Sequence, residues 1–142
     1  MMPTVSPIKV ACIIDDDEIY VHLIKKIIKM KKLSEELLVF SNGQEALTYF
    51  EALPEKPTVS EQNTLPQIIL LDLNMPVMDG WDFLEKYKNT AFSKNPKSTL
   101  YIVSSSIDPY EMEKAKSIDS VTDYLIKPIS IEHFQTIFNK TV

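Results

Sequence analysis

The sequence predicts an α/β domain built on a doubly wound, five-stranded parallel sheet with helices on both faces. Two observations predict it. Short, nearly all-apolar runs alternate along the chain with longer amphipathic segments, as expected for strands buried on both faces and joined by crossover helices. Four of the five apolar runs also close on an ionisable or hydroxyl side chain, which suits a sheet whose carboxyl edge carries a site.

Ile8 to Ile14 is apolar and too short for a typical helix, so it is the first strand. From Glu18 to Met30, Ile19, Leu23, Ile27 and Tyr20, Ile24, Ile28 recur in steps of four. They predict the core stripe of a helix capped by Asp17, with Lys25, Lys26 and Lys29 on a solvated face. Leu37 to Phe40 is the second strand, and Ser41-Asn42-Gly43 supplies turn and capping chemistry for a helix carrying Ala46, Leu47, Phe50 and Leu53. Residues 54–66 are polar and proline-bearing and read as a surface loop. Gln67 to Leu71 is the third strand, followed by a turn-rich stretch ending at Asp79-Gly80 and a helix starting with Trp81, Leu84 and Tyr87.

Gly43 and Gly80 are read as turn residues that permit backbone angles costly to other residues. Thr99 to Val103 is the fourth strand, and Asp108-Pro109-Tyr110-Glu111 announces a helix start, with Asp as cap and Pro at the first helical position. Tyr124 to Ile126 is the fifth strand, and Ser130 caps a last helix carrying Ile131, Phe134, Ile137 and Phe138. Five strands and five helices in strict alternation are expected to fill residues 1–142 as one domain with a core over about 8–140, leaving nothing for an output domain.

Composition narrows the function classes. With 44% hydrophobic and 25% charged residues the chain has ordinary globular usage, so wholesale disorder is not expected. A formal charge of -5 argues against nucleic-acid binding, which needs a basic face. The single cysteine, Cys12, lies in an apolar run and is read as a small buried hydrophobe. Met1 to Pro7 shows no signal-peptide pattern, and no apolar run approaches the roughly 20 residues of a membrane span. A soluble, cytoplasmic protein is expected.

The strand ends carry the chemistry. The first strand ends in Asp15-Asp16-Asp17, the third in Asp72, the fourth in Ser104 and the fifth in Lys127. Right-handed crossovers that set the first and third strands side by side bring their aspartates together. Crowded ionised carboxylates need a cation, and an all-oxygen set suits Mg²⁺. Asp16 and Asp72 can each offer one oxygen, and Asp15 can orient a metal-bound water. The Lys127 ammonium and Ser104 hydroxyl suit phosphoryl oxygens. Phosphoryl transfer needs little beyond positioning and charge neutralisation, and a carboxylate can itself be the nucleophile.

These residues carry a family resemblance. Ile13-Ile14-Asp15-Asp16-Asp17, then Ile69-Leu70-Leu71-Asp72-Leu73-Asn74-Met75-Pro76-Val77-Met78-Asp79-Gly80, then Ile102-Val103-Ser104-Ser105, then Asp123-Tyr124-Leu125-Ile126-Lys127-Pro128 resemble the receiver domains of two-component response regulators. The resemblance runs in order from about Ile8 to the last helix. It implies the flavodoxin-like strand order 2-1-3-4-5 and a phospho-accepting signalling switch rather than an enzyme. Asp72 would be the phosphoacceptor. Mg²⁺ would be held by Asp16, Asp72 and the main-chain carbonyl of Asn74, with Asp15 acting through water. Ser104 and Tyr124 would be the switch residues, Lys127 the family's lysine, and Lys127-Pro128 a cis peptide.

The implied phosphodonor is a sensor histidine kinase or phosphotransfer protein, and the target is a protein contacting the fourth helix, fifth strand and fifth helix. Asn74 and Ser106 are expected to flank the water that hydrolyses the phosphoryl group. The 54–66 loop is longer than many receivers carry and is expected to alter the outer surface near the site.

Three alternatives use the same residues differently. A Mg²⁺-dependent phosphohydrolase would share the aspartyl phosphate, but such enzymes commonly place a second Asp two positions beyond the nucleophile, where this chain has Asn74. A flavodoxin-like cofactor binder would need a phosphate-cradling loop after the first strand, where three aspartates stand. A phosphorylation-independent binding module would not need the complete site that is present.

Overall fold

The computed structural model describes residues 8–75 and 77–141. The expectation for Met1 to Pro7 and Pro76 of the quoted motif lie outside the described residues. Five strands, β1 (Ile8–Ile14), β2 (Ser34–Phe40), β3 (Ile68–Leu71), β4 (Thr99–Ser104) and β5 (Asp123–Ile126), form one sheet. Their order is β2-β1-β3-β4-β5 and every pair is parallel, as predicted.

Alternate residues of each central strand feed opposite faces, the two-residue period of an extended chain. Cys12 and Ile14 of β1 pack with Ile69 and Leu71 of β3 under α2 (Gly43–Glu51), α4 (Gly80–Tyr87) and α5 (Pro109–Lys116). Ala11 and Ile13 pack with Ile68 and Leu70 under α1 (Glu18–Lys31) and α6 (Ile131–Thr141). Because both faces are covered, β3 is buried at all four positions, which explains its unbroken apolar run.

Four expectations need correction. β2 begins at Ser34, three residues ahead of its apolar stretch, because it is an edge strand: Ser34 and Glu36 pair with Ile8 and Val10 while one side of the ladder stays open. In α1 the buried face is Val21, Ile24, Ile27 and Ile28, whereas Ile19 is 84% exposed and Leu23 49%. The two rows of apolar residues span more of the helix circumference than one contact face can cover.

The helices number six among the described residues rather than five, because the 54–66 loop contains a one-turn helix, α3 (Val59–Gln62). Its start is a reciprocal capping box: the Glu61 amide donates to Thr58 Oγ1 at 3.2 Å and the Thr58 amide to Glu61 Oε1 at 2.9 Å. That loop joins the end of α2 to the start of β3. In a parallel sheet this is the edge opposite the strand carboxyl ends, so the loop does not border the acidic site. It borders the 3₁₀ turn Ala91–Lys94 instead, lining one groove with Phe92, Lys94 and Asn95.

The fourth correction concerns the glycines. Neither has a positive φ, and the left-handed positions fall on Lys32, which closes α1, and on exposed Val77. The glycines are needed for space. A Cβ on Gly80 would lie 2.6 Å from the Asp72 carbonyl oxygen and 2.7 Å from Leu73 Cα. On Gly43 it would lie 2.7 Å from the Met78 carbonyl oxygen. Both glycines therefore admit close approach to the segment that follows Asp72.

Candidate functional site

The ladder runs one residue past the strands and so fixes the backbones of the polar residues that end them. The Asp15 amide donates to the Phe40 carbonyl at 3.0 Å, Asp72 to Ile14 at 2.9 Å and Lys127 to Ser104 at 2.9 Å. With Ile14 opposite Leu71 in the β1–β3 register, the next residues, Asp15 and Asp72, emerge side by side. One carboxylate oxygen from each of Asp15, Asp16 and Asp72 lies within 4.8 Å of the others. Asp15 and Asp72 are buried, at 3% and 7% exposure, while Asp16 faces solvent.

Lys127 reaches into this cluster from the end of β5. Its Nζ donates to Asp15 Oδ2 at 2.8 Å and stands 3.9 Å from Asp72 Oδ1. It also sits over the Tyr20 ring, 4.3 Å from the centroid. One ammonium does not balance three carboxylates. Burial, then the charge of Asp15, push the Asp72 carboxyl up to about 6, against the opposing pull of Lys127 and of the Asn74 amide at 3.4 Å. Asp16 adds a smaller push in the same direction. An exclusively oxygen donor set with unbalanced negative charge fits a hard divalent cation. Asn74 is exposed two residues beyond Asp72.

Ser104, 0% exposed, closes β4 and accepts from the Ser106 amide at 3.2 Å. The Ser106 carbonyl in turn accepts from the Tyr124 hydroxyl at 2.9 Å, and its Oγ accepts from the Asp108 amide at 3.3 Å. Asp108 caps α5. Ser104, the 105–108 loop, the start of α5 and Tyr124 on β5 are therefore one hydrogen-bonded series. Tyr124 is buried, its ring turned into the core beneath α5. The Lys127–Pro128 peptide is cis.

The structure thus brings Asp15, Asp16, Asp72 and Lys127 together, and joins Ser104 to Tyr124. Three contributors were not legible in the sequence. Tyr20 reads as one member of an apolar helix stripe, yet it carries Lys127. Gly80 and Gly43 read as turn residues, yet they fit against the Asp72–Met78 segment. Cys12 behaves as read, fully buried with its thiol pushed far up by burial, and both histidines, His22 and His133, lie on the surface. Among the described residues, no helix is long and apolar enough to cross a membrane.

Comparison with known proteins agrees with this geometry. A family model described as "Response regulator receiver domain" matches residues 11–139. The crystal structure of a two-component response regulator from Cytophaga hutchinsonii superposes with a TM-score of 0.80 at 30% identity, covering 95% of this chain and 97% of that one. Response regulator Rcp1 from Synechocystis sp. is 29% identical over 83 residues, 58% of this chain and 54% of its own length. Sensor histidine kinase CheAY from Helicobacter pylori is 27% identical over 130 residues, 91% of this chain but 14% of its own. The matched regions thus span about half of the one curated relative and a small part of the other.

Proposed function

The chain belongs to the response regulator receiver family, a family of signalling domains, and we propose that it acts as one receiver unit that accepts a phosphoryl group on Asp72 and changes a protein-binding surface in response. The single observation that carries this is Asp72, buried beside Asp15 with the Lys127 ammonium 3.9 Å from its Oδ1. A nucleophile, a charge cluster and a cation for phosphoryl oxygens share one pocket.

The phosphodonor is a phosphohistidine of a sensor kinase or phosphotransfer protein. An Asp72 carboxylate oxygen attacks phosphorus in line, the P–N bond breaks, and the electron pair leaves with the imidazole, which takes up a proton. Lys127 is within a short swing of the transferred group and stabilises its charge. A bound Mg²⁺, held by Asp16, Asp72 and the Asn74 main-chain carbonyl with Asp15 acting through water, would supply further neutralisation of the phosphoryl oxygens.

The response follows the hydrogen-bonded series. The Ser104 hydroxyl accepts from the Ser106 amide and has its own proton still to donate. A phosphoryl oxygen on Asp72 draws that hydroxyl toward it, and Ser106 moves with it. The Tyr124 hydroxyl and the Asp108 cap both hold on to Ser106, so the rearrangement reaches β5 and α5. The output surface is α5, β5 and α6, and phosphorylation shifts a pre-existing equilibrium there.

Intact-mass measurement after incubation with a small phosphodonor and Mg²⁺ tests this. Gain of one phosphoryl group, lost in Asp72→Asn, is the expected result. Steady turnover of phosphate esters would replace the switch with a phosphohydrolase.

A further inference from the structure

We propose that Tyr20 is a positioning residue for Lys127, its ring serving as the platform that holds the ammonium between Asp15 and Asp72. The proposal rests on Asp72 being the phosphoacceptor, and it adds a residue that does not touch the phosphoryl group itself.

Lys127 has three attractions in the pocket: Asp15 at 2.8 Å, Asp72 at 3.9 Å and the face of Tyr20 at 4.3 Å. The two carboxylates change character during the reaction. Asp72 becomes an acyl phosphate, and Asp15 divides its charge between the lysine and whatever cation the cluster holds. The ring does not change. Its quadrupole attracts the ammonium before and after transfer, and more strongly for being out of water, since the Lys127 side chain is only 17% exposed. The ring therefore keeps the lysine in place while its ionic partners alter.

The backbone of Tyr20 is tied to the same cluster. Asp15 Oδ1 accepts from the Asp17 amide at 2.9 Å, and Asp17 Oδ1 accepts from the Tyr20 amide at 3.1 Å. The turn that starts α1 thus sets the ring's position relative to Asp15. The Tyr20 hydroxyl is buried and makes no hydrogen bond among the described residues. A phenol whose oxygen has no partner contributes through its ring. Burial and the charges of Asp15 and Asp72 push its ionisation far upward, so it stays neutral and adds no further negative charge.

The test compares wild type, Tyr20→Phe and Tyr20→Leu, each also with Lys127→Met, by the rate of Asp72 phosphorylation from a small phosphodonor with Mg²⁺. Tyr20→Leu is expected to slow the reaction by about thirtyfold at most, the full loss of a desolvated cation–π contact, and by at least about fivefold. Tyr20→Phe, which retains a ring face, rescues the rate. In the Lys127→Met background Tyr20→Leu has no further effect, the non-additivity expected of a residue acting through the lysine. Tyr20→Met replaces the leucine variant if the latter does not fold.

Independently of phosphorylation, the Lys127 ε-methylene protons should show an upfield ring-current shift in wild type and Tyr20→Phe that Tyr20→Leu abolishes. An undiminished rate in Tyr20→Leu, an equal loss in Tyr20→Phe, or an equal loss without Lys127 would overturn the proposal. If wild type takes up no phosphoryl group, the acceptor assignment fails instead. The ring-current shift then decides the platform alone, supporting it if present and overturning it if absent.

Discussion

Replacing Asp72 by Asn should stabilise the metal-free protein, because the native carboxylate is held against its electrostatic preference. In the folded protein its pKa is raised from 3.8 to about 6, by burial first and by Asp15 next. The folded state therefore binds the proton more tightly than the unfolded one. The destabilising contribution is absent below the unfolded pKa, grows as pH rises between about 4 and 6, and is complete above the folded pKa. At about 1.4 kcal/mol per unit, the ceiling on the penalty at neutral pH is about 3 kcal/mol. Coupling to Lys127, itself tied to Asp15, reduces what the substitution recovers, so an increase of about 1–2 kcal/mol is expected.

Urea unfolding in a chelator at several pH values between 4 and 8 measures it. The Asp72→Asn variant should exceed wild type at pH 7.5, and the two should converge near pH 4. Added Mg²⁺ should close the gap from the other side by stabilising wild type more. A variant less stable than wild type at pH 7.5 without metal, or a gap that does not depend on pH, would refute the account of a charge-strained pocket.

Three further outcomes follow from named contacts. Gly80→Ala sets a methyl 2.6 Å from the Asp72 carbonyl oxygen, so urea unfolding should show a loss of about 1–3 kcal/mol, and phosphorylation should slow as the acceptor's backbone moves. Tyr124→Phe removes the donor to the Ser106 carbonyl and should cost about 0.5–1.5 kcal/mol. Amide NMR should then show phosphorylation-induced shifts in the 105–108 loop no longer matched by shifts in β5. Substituting bulkier residues for Asn74 and Ser106 should lengthen the phosphoryl lifetime, measured by decay of the phosphorylated mass after donor removal. An unchanged decay would show that neither residue borders the attacking water.

The strand ends were legible because a parallel sheet covered on both faces has no place for a charge until the strand leaves the core. Asp15, Asp72, Ser104 and Lys127 each mark such an exit, and parallel pairing sets all four at one edge. Less legible were features whose meaning depends on partners distant in sequence. Ser34 and Glu36 look like loop until β2 is known to be an edge strand. Tyr20 has the spacing of a core residue, and only the fold shows that Lys127, more than 100 positions later, rests on it. Gly80 needs the Asp72 backbone beside it before its missing side chain acquires a purpose. The Thr58–Glu61 box was the exception, a local signal within a proline-bearing stretch that composition alone marked as loop.

Reductive trapping of the phosphorylated protein bears most directly on the central claim that Asp72 is the nucleophile. Borohydride converts an acyl phosphate of aspartate to homoserine, and peptide mapping then locates it. Homoserine at position 72, formed only after exposure to phosphodonor and Mg²⁺, is the predicted result. Label at another residue, or a phosphorylated protein that yields no homoserine, would contradict it.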